Sequence, residues 1–163
     1  MYKIDKTDRL IVNLLMEDGR MPSAELARRL GNITERSVRY RLERLRKSGM
    51  IKIAIITNHA ALGFLVTADV FIEVEPGLIQ DVAKELVKFA NVTYVACSTG
   101  DRDVSAQVIA RDNAEAYTFV TEVIAKVPGV RKTITSIVPV ILKDTYDWHI
   151  PAASAASTNE PGE

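Results

Sequence analysis

Two helical patterns stand only three residues apart in the first third of this 163-residue chain. The earlier covers residues 23–30, with Leu26, Ala27 and Leu30 recurring on one face. The later opens at Thr34 and runs to about Lys47, with Val38, Leu42 and Leu45 as its apolar stripe. Between them lie only Gly31, Asn32 and Ile33. So short a connection, with a glycine in it, is the signature of a helix-turn-helix, two helices joined at a steep angle. A preceding helix carries Leu10, Ile11, Leu14 and Leu15 at helical spacing, with Asp5 or Thr7 as its cap and Asp18-Gly19 as its stop. Pro22 suits a helix start, Thr34 is a good N-cap, and Gly31 and Gly49 follow helix ends.

The later helix is rich in cations. Arg36, Arg39, Arg41, Arg44, Arg46 and Lys47 stand against Glu35 and Glu43. In a helix-turn-helix this element lies in the DNA major groove, its N-terminal residues nearest the base edges. Removing the apolar stripe leaves Arg36, Arg39, Tyr40, Glu43 and Lys47 on the outer face. The expected DNA-contacting set is Thr34, Arg36, Ser37, Arg39, Tyr40, Arg41 and Arg44. Arginine can pair with guanine O6 and N7, while other cations contact phosphates and carry affinity rather than sequence information. The charge distribution points the same way. Residues 1–52 hold 13 Lys and Arg against 7 Asp and Glu, and residues 53–163 hold 8 against 14. The balanced chain thus divides into a basic part that meets a polyanion and an acidic remainder.

After Gly49 the pattern changes. Residues 51–57 and 65–74 are rich in β-branched side chains and read as strands, with a turn or hinge at 59–63. Pro76-Gly77 is followed by an amphipathic helix over 78–89. Residues 92–99 and 104–110 read as strands flanking the turn at Gly100-Asp101. Asp112 or Asn113 caps a helix reaching about Lys126, Pro128-Gly129 stops it, and 130–142 supplies the last strand. The order β-α-β-β-α-β makes the fold class α+β, a helix-turn-helix followed by a ferredoxin-like αβ-sandwich. Both helices of such a unit cover one sheet face, and a partner subunit usually covers the other. The expected division is 1–52 for the DNA-binding domain, 53–64 for a strand or hinge linker, 65–143 for the βαββαβ domain and 144–163 for a C-terminal extension. In that extension Tyr146, Trp148 and Ile150 alternate as an edge strand or interface patch would, and the tail from Pro151 has a disordered composition.

Enzyme chemistry finds little support. His59 and His149 lie far apart, and Cys97, alternating within a strand, reads as a small buried hydrophobe. No metal or cofactor motif is expected. The apolar runs, such as 53–56 and 137–141, fall far short of the roughly 20 residues of a membrane span. Charges recur through residues 1–9, unlike a secretory leader, and a single cysteine fits a reducing cytoplasm.

Several of these pieces together resemble the Lrp/AsnC family, the leucine-responsive or feast/famine regulators of bacteria and archaea. They are Ile4-Asp5 with Asp8-Arg9-Leu10-Ile11, Asp18-Gly19-Arg20, Glu25-Leu26-Ala27, the run from Val38 to Leu45, Gly49-Met50-Ile51, Gly100-Asp101-Arg102-Asp103 and Pro128-Gly129-Val130. The resemblance spans about residues 3–143. It implies a regulator of transcription that binds double-stranded DNA, with an αβ-sandwich called the RAM domain through which homodimers form and assemble into tetramers or octamers. It also implies an amino acid or related metabolite as effector, bound between subunits near Thr99, Gly100, Asp101 and Asp103. There Asp101 or Asp103 would receive an ammonium group and turn amides a carboxylate. Two positions depart from the family pattern: Asn32 lengthens the turn by one residue, and Arg102 stands where an apolar residue is frequent. The sirohaem decarboxylases share this architecture as enzymes, but need histidine and arginine near the sheet. Here the second domain offers only His149, late in the chain. An architectural DNA-packaging protein is the third reading, marked by little sequence preference and steep salt dependence.

Overall fold

The structure, a computed structural model, describes residues 3–152. Among the described residues the chain forms two compact units: residues 56–141, and residues 3–55 joined by 142–152.

Three helices build the first unit: α1 (Lys6–Glu17), α2 (Ser23–Leu30) and α3 (Glu35–Lys47). Each end follows from local chemistry. At α1 a reciprocal capping box forms: the Asp8 N–H donates to Asp5 Oδ1 at 2.8 Å, and the Asp5 N–H donates to Asp8 Oδ2 at 3.2 Å. Gly31 ends α2 at φ +75°, a left-handed conformation that costs a glycine nothing. The Thr34 hydroxyl caps α3 by accepting the Ser37 N–H at 3.2 Å. Ile11, Met21, Leu26 and Val38 form the buried centre, flanked by Leu14, Leu15, Ala27, Leu30, Ile33 and Leu42.

The second unit is a four-stranded antiparallel sheet with two helices. Its elements are β1 (Val66–Val74), α4 (Ile79–Leu86), β2 (Val92–Cys97), β3 (Val104–Ala110), α5 (Asn113–Glu122) and β4 (Val130–Ile137). The strand order is β2-β3-β1-β4. Central β1 pairs Val70 with Ala106 of β3 on one side and with Thr135 of β4 on the other. Alternation sends Val70, Ile72 and Val74 of β1, with Val104, Ala106 and Val108 of β3, against Val82 and Leu86 of α4 and Val120 and Ile124 beyond. Both helices therefore cover the same face, and the Phe89 and Phe119 rings meet edge-on there at 5.6 Å. Gly129 is required by this packing, because a Cβ there would sit 2.9 Å from Leu78 Cδ1, at φ +93°. The other sheet face carries Asp69, Phe71 and Glu73, with Gln107 Nε2 donating to Asp69 Oδ1 at 3.1 Å and Lys132 paired with Glu73 at 3.0 Å.

Several sequence expectations need correction. Residues 51–57 form no strand, and Ile53 and Ile55 are exposed. A β-branched run becomes a strand only beside a partner. β4 stops at Ile137 rather than near 142: Val138 donates a last bond to Thr67 O at 2.8 Å, and Pro139 then has no N–H to give. α5 ends at Glu122, and the chain tightens into a 3₁₀ turn over Ile124–Lys126. Cys97 is exposed, on edge strand β2. Residues 146–150 form no strand; a 3₁₀ turn covers Thr145–Asp147. Farther on, the Ile150 backbone is gripped by Asn13 of α1. Its N–H donates to Asn13 Oδ1 at 3.0 Å, and its carbonyl accepts from Asn13 Nδ2 at 3.3 Å. The tail expectation falls largely on 153–163, outside the described residues.

Candidate nucleic-acid interface

Helix α3 presents two different sides. Val38 and Leu45 are fully buried, and Leu42 between them is half-buried. Opposite them Arg36, Tyr40, Glu43 and Lys47 follow the spacing i, i+4, i+7, i+11 and are all exposed. Tyr40 exposes 66% of its surface. Arg39 lies on the flank of this stripe, its guanidinium 3.0 Å from Glu35. Arg44 lies on the other flank, with its guanidinium 5.7 Å from the Tyr40 ring centre. Arg36 has no ion-pair partner among the described residues and stands in the N-terminal turn.

Arg41 behaves differently from its neighbours. Its Nη1 lies 2.6 Å from Asp5 Oδ2 and 2.7 Å from Asp8 Oδ1, and Asp8 is fully buried. Arg44 adds a longer contact to Asp8 at 3.7 Å. The guanidinium thus joins the cap of α1 to the middle of α3. Partial burial works against the Arg41 charge, but hydrogen bonds and attraction from Asp5 and Asp8 outweigh it and raise its pKa. Partial burial likewise pushes the Asp5 carboxyl up, and the Asp8 N–H together with Arg41 more than reverses this, leaving it below its ordinary value.

The rest of the positive surface is partly neutralised within the chain. Arg46 and Lys47 both approach Glu43, at 3.0 and 3.4 Å. On α2, hydrogen bonds from Arg28 and Arg29 push Glu25 down to about 2. Such exposed pairs hold weakly and can exchange a carboxylate for a phosphate.

The turn between β2 and β3 is the second region of interest. Gly100 takes φ +143°, and Thr99, Gly100 and Asp101 are exposed. Asp103 is committed to the sheet: its Oδ2 accepts the Val74 N–H at 2.8 Å, and its own N–H donates to Ile72 O at 3.1 Å. Arg102 lies over the Phe71 ring, 4.2 Å from its centre, and 3.9 Å from Asp101 Oδ2. The turn therefore offers an exposed carboxylate and a ring-supported guanidinium side by side. Spacing alone gave no signal of the Arg102–Phe71 contact, since Arg102 lies in the turn before β3 and Phe71 on β1.

Comparison with known proteins matches both units. Residues 67–148 fit the profile of the Lrp/AsnC ligand binding domain, and residues 4–52 that of a winged helix-turn-helix DNA-binding domain. The chain belongs to the Lrp/AsnC family. Members of this family are DNA-binding transcriptional regulators rather than enzymes. Among relatives, PH0140 of Pyrococcus horikoshii, an HTH-type transcriptional regulator, is 38% identical over 145 residues, covering 88% of this chain and 91% of the relative. The HTH-type transcriptional regulator FL11 of Pyrococcus abyssi is 35% identical over 148 residues, covering 90% and 97%. The Lrp/AsnC fold is shared with E. coli AsnC, at a TM-score of 0.81 and 24% identity over 89% of this chain and 99% of AsnC. It is shared also with NMB0573 of Neisseria meningitidis, solved as an L-Met complex, at a TM-score of 0.83 and 23% identity over 90% and 96%. In this chain the Lrp/AsnC reading head has no strand following α3 up to Thr57, so its three helices stand without a β-wing there.

Proposed function

We propose that this regulator reads double-stranded DNA in a sequence-specific way through the outer face of α3, and that an amino acid or related small metabolite, bound between subunits, modulates its assembly or DNA binding. The observation that carries the DNA half is the exposed stripe of Arg36, Tyr40, Glu43 and Lys47, flanked by Arg39 and Arg44, on the second helix of a helix-turn-helix. Thr34 and Ser37 stand at its N-terminal turn, within reach of a phosphate or base edge. Arg41 braces the domain from within and sets the angle at which α3 is presented. The division at 52, 64 and 143 separates reading head, linker, ligand-binding domain and extension.

The effector half is supported by the matched ligand-binding description and by the exposed turn at Thr99, Gly100 and Asp101, with Asp103 holding the turn to β1. Homodimers form through the ligand-binding domains and assemble further into tetramers or octamers, so the DNA sites repeat at about one helical turn or a multiple of it. A small molecule shifts such an assembly only by its difference in affinity for the two states. No described helix is long and apolar enough to cross a membrane. A regulator that reads DNA works where the DNA is, and the cytoplasm is the compartment proposed for it.

Fluorescence anisotropy on DNA from its own upstream region, against scrambled DNA, at two salt concentrations and with or without an amino-acid mixture, tests both halves. Preference for the native duplex that changes with the mixture is the expected result. Preference without a change removes the effector, and equal binding to both duplexes removes sequence-specific reading.

A further inference from the structure

Glu35 is the residue of the α3 N-terminal turn whose charge opposes contact with a polyanion. Its side chain is about half exposed and lies 3.0 Å from the Arg39 guanidinium. An exposed i,i+4 pair adds little to helix stability, and an acidic residue near a helix N-terminus is only modestly favoured by the dipole. Both gains are small beside the repulsion a carboxylate meets at the DNA surface. In the major groove, however, a carboxylate has specific partners. It accepts hydrogen bonds from the amino groups of cytosine N4 or adenine N6, and it is repelled by guanine O6 and N7 and by thymine O4.

We infer that Glu35 is a specificity-determining residue of the reading head, accepting an amino-bearing base edge and orienting Arg39 toward a neighbouring guanine. This rests on the reading that α3 enters the groove. The helix places Glu35 and Arg39 one turn apart on the same flank, so the pair spans adjacent base positions and acts as a unit. Glu35 thus works as a filter. It contributes through rejection of acceptor-bearing bases as much as through attraction, and it weakens binding to DNA in general.

Glu43 supplies an internal comparison. It too is exposed, acidic and paired on the same helix, with Arg46 and Lys47. It lies two turns later, roughly 12 Å along the axis, where phosphates rather than base edges are near.

The test starts from a duplex enriched by the wild-type chain from a pool of random sequences. Its base pairs are then changed one at a time, and affinities are measured for wild type, Glu35→Gln, Glu35→Ala and Glu43→Ala. Far-UV circular dichroism confirms that each variant keeps its helices. Both Glu35 variants should lose about tenfold of discrimination at one base position in each half-site and bind scrambled DNA more tightly. Glu43→Ala should tighten binding to all duplexes alike and keep the wild-type profile. Glu35 variants that keep the wild-type profile, or that shift all duplexes alike as Glu43→Ala does, overturn the inference and leave sequence-specific reading standing. A wild-type chain that enriches no sequence overturns both.

Discussion

The two units solve the same problem by opposite means. Among the described residues, the sheet unit has eleven buried aliphatic side chains in one continuous cluster, from Val70 to Val127. The three-helix unit has a cluster of four, Ile11, Met21, Leu26 and Val38, with Val12 and Leu45 buried outside it, and so small a core leaves a domain marginal. It adds a polar brace instead: buried Asp8 and the α1 cap Asp5, both held by Arg41 from α3. The cluster of the sheet unit is aliphatic throughout, and ion pairs of that unit, such as Lys132–Glu73, lie at the surface. The difference teaches that a basic helix in a small DNA-binding domain is not one surface. One arginine in its middle ties α3 to α1 and its cap, and Arg36, Arg39 and Lys47 on the same helix are exposed.

Asp8→Ala should strike this contrast hardest. It leaves the Arg41 guanidinium partly buried beside a single carboxylate, at a cost of about 3–5 kcal/mol. Urea unfolding followed by far-UV circular dichroism should show the helical signal lost early. A cost below about 1 kcal/mol would mean that the brace adds nothing to the apolar core. Ile72→Ala, in the aliphatic core of the sheet, should cost about 3 kcal/mol through its cavity, whereas Ile72→Val should cost only about 1. The same melts check this, and DNA affinity should survive wherever the protein is still folded. Thr34→Ala removes the α3 cap and should cost about 1 kcal/mol of stability, read as a small downward shift of the thermal midpoint.

The smallest effect concerns acid. Because the folded state holds the Asp5 carboxyl below its ordinary value, it contributes stability that is fully present above the unfolded pKa near about 3.9. That stability is lost as pH falls through the lower folded value. Asp5→Asn should flatten the acid limb of the stability curve. An acid limb of the same slope in wild type and variant would assign acid sensitivity to other carboxylates.

Much of this was legible in the residues. The three helices end where Asp5, Gly31, Thr34 and Gly49 place them, because caps and glycines act locally. The β-α-β-β-α-β order followed from changes of period punctuated by Pro-Gly pairs. What failed depends on partners. The β-branched run at 51–57 has no strand beside it, and Cys97 lies on an edge that alternation cannot reveal. Arg41 belongs to the expected DNA-contacting set but not to the outer face, and the sequence carries a signal of its inner position. It falls three residues after Val38 and four before Leu45, inside the stripe that defines the buried side. Its partners lie 33 and 36 residues away, beyond any local pattern. The exposure of Arg36, Arg39, Tyr40, Glu43 and Lys47 could be read from the helical period alone.

The most direct test of the account is the DNA affinity of Arg36→Ala beside Arg41→Ala, each measured on a duplex the wild type prefers, together with its unfolding midpoint. Arg36→Ala should weaken binding by about 1–3 kcal/mol with an unchanged midpoint, while Arg41→Ala should lower the midpoint sharply. Unchanged affinity in Arg36→Ala, or an unchanged midpoint in Arg41→Ala, would contradict the division of α3 into an outer reading face and an inner brace.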